Sequence, residues 1–171
     1  MRRGTMIAAA LFGVSLLAGV AAAEQNDHQH MSPKMTDTRK EVEVPPPMRA
    51  HMLSNMRSHA EAISEILVAL SQGDGAKASM TAESRLGLSA PGSAACKPGA
   101  ATGELGEAPA MMARHMPDDM RALGMAMHEQ ASKFAEEAAK VKQGADLRPA
   151  LAALAQVTQG CSACHAAYRL K

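Results

Sequence analysis

Ring-bearing side chains are nearly missing from this chain: its 171 residues include no tryptophan, one tyrosine and two phenylalanines. An interior so poor in rings has room for a large flat group that the polypeptide does not supply. No stretch alternates apolar and polar residues, which excludes a sheet domain. No run reaches the roughly 20 apolar residues of a membrane-spanning helix. Eighteen basic side chains face 17 acidic ones, a formal charge of +1, so no electrostatic footprint for nucleic acid or an anionic membrane surface exists. With only three cysteines there is no disulfide framework. Nor does any acid, base and second-metal constellation converge in the sequence, so no enzyme is expected. What fills the chain instead is alanine, leucine and methionine, a composition that favours helices.

The first residues read as an export signal. Arg2 and Arg3 precede an apolar run from Met6 to about Val20, and Ala21-Ala22-Ala23 supplies small residues for cleavage. Cleavage after Ala23 leaves 148 residues starting at Glu24, enough for one domain, and removal of the two arginines takes the formal charge to −1. The expected compartment is a bacterial periplasm. Residues 24–46 read as a flexible polar lead-in ending in Val44-Pro45-Pro46-Pro47. Within it, His28, His30 and Met31, with Met35 nearby, mix imidazole and soft thioether groups that could bind copper weakly, although a solvated polar tail is the preferred reading.

Residues 47–171 carry four helical stretches. In the first, about 48–71, Leu53, Met56, Ala60, Ile63, Leu67 and Leu70 recur at the spacing of one buried face. Asp74 is placed to cap a short second helix over 76–86. Residues 88–107, rich in Ser, Ala, Pro and Gly, read as a long loop. The third helix, 117–143, aligns Met120, Leu123, Met127, Ala131, Phe134, Ala138 and Val141, with Gly144 ending it. In the fourth, Leu147, Leu151, Leu154, Val157 or Thr158, Cys161, His165 and Tyr168 trace the inward face, behind Asp146 as a cap. The expected fold is all-α, most simply an antiparallel four-helix bundle.

Cys161-Ser162-Ala163-Cys164-His165 on that last helix is the C-x-x-C-H pattern of covalent haem attachment. Three residues apart on a helix, both thiols reach the two vinyl groups of one porphyrin, and His165, four past Cys161, lies on the same face to ligate the iron. A dithiol redox site belongs on a βαβ pattern that is missing here, and a zinc site needs a second ligand pair, whereas Cys96 stands alone. One haem c, bound through Cys161 and Cys164 with His165 as proximal ligand, is the expectation. Cys96 remains an odd thiol, to pair between chains or stay buried and inert.

The bundle pattern with this motif at its C-terminal end resembles the class II c-type cytochromes, the cytochrome c-prime family. Cys161 to Arg169, with Tyr168 and Arg169 following the ligand, is similar to the family's terminal signature. Arg49-x-x-x-Leu53-x-x-Met56-x-x-His59 resembles its first helix. The resemblance implies that Arg49 lies near a haem propionate, that Leu53 occupies the slot over the open iron face with Met56 as an apolar follow-on, and that Arg169 sits beside the proximal pocket. The loop around Cys96 departs from the compact family pattern. Proteins of the family often pair through their first two helices, so the resemblance also implies a homodimer, which the sequence itself does not show.

The residue opposite His165 separates two functions. A leucine there leaves five-coordinate iron, open to NO or CO; a methionine makes it six-coordinate, suited to electron transfer with periplasmic redox partners. Met52 and Met56 are the methionine candidates, Met52 only with a shifted helical register; His51 and His59 are weaker ones, since surface histidines are usually solvated. Electron carriage is the expected function, with gas binding as its alternative.

Overall fold

The computed structural model describes residues 36–171. The expected signal peptide, the copper-suited His28, His30, Met31 and Met35, and most of the polar lead-in lie outside the described residues.

Helices dominate, with little strand. A short strand β1 (Lys40–Val42) leads into α1 (Pro46–Ser71), α2 (Gly75–Arg85), two 3₁₀ turns (Pro91–Cys96 and Ala100–Thr102), α3 (Glu107–His115), α4 (Asp118–Ala138), α5 (Arg148–Ala167) and strand β2 (Tyr168–Leu170). Local chemistry sets these boundaries. Pro46 and Pro47 occupy the first positions of α1, where the missing N–H costs nothing. Gly73, at φ 70°, turns the chain, and Asp74 accepts the Lys77 backbone N–H at 2.9 Å to cap α2. Asp118 and Asp119 stand in the first turn of α4, where the helix dipole favours them. Asp146 accepts the Arg148 N–H at 3.0 Å at the start of α5.

One core draws on α1, α2, α4 and α5: Ala62, Ile66, Ala69 and Leu70 meet Ala78 and Ala82, Met127 to Ala138, and Ala150, Leu154 and Val157. Phe134 is its largest fully buried side chain. Alanines supply much of the rest, which brings helix axes close together. A smaller cluster gathers Met48, Met52, Ala95 and Met116, with Cys96, Met112 and Met120 packed against it.

Several expectations need correction. The buried residues of α1 are Met48, Met52, Ala62, Ile66, Ala69 and Leu70, mostly one position before the expected stripe, a rotation of about 100°. Leu67 is 47 % exposed, and Leu151 of α5 is 44 % exposed because Ala150 takes the inward place. The stretch before Pro117 is a separate helix, α3, and α4 stops at Ala138, six residues before the Gly144 turn. The loop over 88–107 is not loose: Ala90, Ser93, Ala95 and Ala100 are buried in it. Strands, unexpected anywhere, pair in parallel, Lys40 with Tyr168 and Val42 with Leu170, so the lead-in is ordered at its end and Tyr168 leaves the helix while staying buried.

Gly75 sits where α2 starts beneath the end of α4. A Cβ there would run into the backbone carbonyl oxygens of Ala138 and Val141, which no side-chain rotation relieves. Gly75→Ala, usually stabilising in a helix, is therefore expected to cost about 2 kcal/mol, read as a lowered urea midpoint with unchanged m.

Candidate haem-binding site

The motif residues end the α5 face that begins in the core with Ala150, Leu154 and Val157. Cys161 and Cys164 are half-buried and free, and burial pushes both thiols up. Both, with His165, border a cavity of about 390 Å³ between α1, α4 and α5. Its other walls are Met56, His59, Ala60 and Ile63 of α1, Leu86 after α2, and Leu123, Gly124 and Met127 of α4. Apart from the two histidines, Thr158 and Ser162, that lining is apolar or sulfur-bearing. Close helix approach shapes it: a Cβ on Gly160 would lie 3.0 Å from the Met127 Cβ, and one on Gly124 only 2.7 Å from the Cys96 Sγ.

A second cavity of about 290 Å³ adjoins it, sharing Met56, Cys164 and His165. Here the lining changes character. Arg39, Arg49 and Arg169 join Met52, Leu53, Met120, Tyr168 and Leu170. Arg169 bonds to Glu41 at 2.5 Å and lies 3.4 Å from Asp37 through Nε, which is buried and makes no hydrogen bond among the described residues. Arg39 reaches the His165 carbonyl at 3.4 Å. The β1–β2 pair thus carries two cations to the end of the motif helix. Sequence reasoning missed Arg39, since nothing in the chain signals that residues 40–42 pair with the terminus. A hydrogen bond to Asp119 pushes the Tyr168 phenol up to about 12.

Leu53, Met56, Ala60 and Ile63, expected as a core stripe of α1, line these cavities instead. Met56 borders both and is 40 % exposed, whereas Met52 is 3 % exposed within the methionine cluster and touches only the smaller cavity. His51 is exposed and bonds to Asn55, away from either cavity. Cys96 is largely buried, and burial, with Cys164 nearby, pushes its thiol up to about 11.

These residues fit a covalent haem on the chemistry of the donor set. Two thiols and an imidazole share one wall, the facing α1 wall is apolar apart from His59, and three guanidiniums, one with an unsatisfied buried N–H, line the adjoining cavity and suit acidic groups. Among the described residues no helix is long and apolar enough to cross a membrane. Compared with protein-family models, curated proteins and solved structures, the chain finds no match.

His59 and His128 stand together behind the larger cavity, ring centroids 6.1 Å apart and edge to face. Burial, then the neighbouring His128 and Arg85, holds His59 down to about 4 from the usual 6.5, and burial lowers His128 too. Below pH 6.5 the unfolded chain therefore binds more protons than the folded one. Stability should fall as pH drops from about 6.5 toward 4, and His59→Gln should flatten part of that fall. Urea midpoints of the haem-free polypeptide across this range check it; an unchanged slope in the variant contradicts the assignment.

Proposed function

We propose that this chain is an exported, periplasmic c-type cytochrome of the cytochrome c-prime kind, an antiparallel four-helix bundle that carries electrons through one haem. The observation that carries the reading is Cys161, Cys164 and His165 on one wall of an apolar cavity faced by α1. Haem attached there supplies a one-electron iron couple in a medium of low polarity.

The chain's own residues have separable tasks in this reading. Cys161 and Cys164 would hold the ring by two thioethers, each formed by addition of its S–H across a vinyl group. His165 would give a ring nitrogen to the iron from the same helix face. Arg49, Arg169 and Arg39 would neutralise the propionates, as charge-assisted hydrogen bonds to carboxylates do. Leu53, Met56, Ala60 and Ile63 exclude water from the opposite face, which limits the solvent reorganisation that accompanies electron transfer. Met56 is better placed than the packed Met52 to reach the ring. Redox partners would dock weakly over the motif's exposed edge.

A five-coordinate gas-binding site is the second reading. It is favoured by Leu53, a non-ligating side chain that borders the same cavity as His165. The spin state of the matured protein separates the two. Low-spin iron in both oxidation states supports the carrier, whereas a high-spin ferrous spectrum with rapid CO binding supports the gas site.

Attachment itself is tested by substitution. Coexpressed with haem-attachment machinery, the Cys161→Ser/Cys164→Ser double variant should keep less than about a tenth of the covalent haem of the parent, measured as haem-stained band intensity. Retention of haem by the double variant would remove the motif's assigned role.

A further inference from the structure

His59 has no role in the reading above, yet it is the only histidine besides His165 among the described residues bordering the larger cavity. It stands one helical turn after Met56 on the α1 wall, so the two side chains occupy one face. His59 is half-buried in that wall.

What lies behind it supports one use. His128 is 3 % exposed, and its Nδ1 is 2.6 Å from the Leu86 carbonyl oxygen. A carbonyl only accepts, so Nδ1 of His128 carries the proton and its Nε2 is left bare as an acceptor. The His128 ring meets His59 edge to face. A ligating histidine commonly gives one nitrogen to the metal while its other N–H is oriented by an acceptor behind it. His128, held through Nδ1 by the Leu86 carbonyl, is packed against the His59 ring from behind, where such an acceptor would stand.

We propose that His59, rather than a methionine, supplies the sixth ligand, so that the iron is held between His165 and His59 with His128 as the positioning residue. This rests on the haem-binding reading. It makes the protein a six-coordinate carrier whose potential lies below that of a methionine-ligated equivalent, because replacing a thioether by imidazole removes the ligand that raises it.

The test uses the haem-loaded, exported protein and reads spectra, not activity. The parent should be low-spin in both oxidation states and lack the methionine–iron charge-transfer band. His59→Ala should turn the ferric iron high-spin and bind CO in the ferrous state at least about 100-fold faster, and added imidazole should restore the low-spin spectrum. Met56→Leu should stay low-spin. His128→Gln, which keeps a polar group behind the ligand, should fold and hold haem while shifting the potential. A high-spin parent, a methionine band lost in Met56→Leu, or a His59→Ala spectrum identical to the parent's would overturn the proposal and leave covalent haem intact. Protein that carries no covalent haem after maturation would overturn both readings, and its mass reveals this before any spectrum is taken.

Discussion

Small side chains govern this structure. Alanines at 62, 69, 78, 82, 131, 135, 138 and 150 draw four helices together around Phe134, Ile66 and Leu70. Beyond that knot the chain has few large groups left. Toward the C-terminal end of α5 the helices border apolar cavities, walled by Met56, Ala60, Ile63, Leu123 and Met127. Apolar surface in such a wall gains about 25 cal/mol per Å² when it is removed from water. A flat hydrophobic group tied to the same helix would cover it, which is why the attachment motif and the poverty in aromatic residues belong to one account.

The ends of the chain serve the same region. Parallel pairing of Lys40–Val42 with Tyr168–Leu170 buries Val42 and Tyr168 and carries Arg39 and Arg169 to the smaller cavity. Asp37 and Glu41 pair with those guanidiniums and hold them in place beside the motif. Exposed ion pairs of this type contribute little to stability, so their value here is in position.

Much of this was legible in the sequence. The helical composition, the Asp74 cap, the α4 stripe from Met127 to Ala138 and the C-x-x-C-H motif all follow from residue type and spacing. The α1 register was not legible, for a physical reason. Apolar periodicity marks every face that avoids water and cannot tell a face packed on protein from one that lines a cavity. Leu53, Met56, Ala60 and Ile63 are the second kind, and Met52, Ala62 and Ile66 the first. The strand pair was equally hidden, since three residues at each end carry too little pattern to declare a partner 128 positions away, the separation of Lys40 and Tyr168. His59 ranked only as a weak ligand candidate because a histidine on a helix reads as solvated until its neighbour His128 is seen.

A haem joined through thioethers to Cys161 and Cys164 adds its own mass to the polypeptide and survives denaturation. Intact mass spectrometry of the protein recovered from a periplasm with c-type maturation should give the polypeptide beginning at Glu24 plus one haem, unchanged by acid–acetone extraction. A folded protein with the mass of the bare polypeptide would contradict the account.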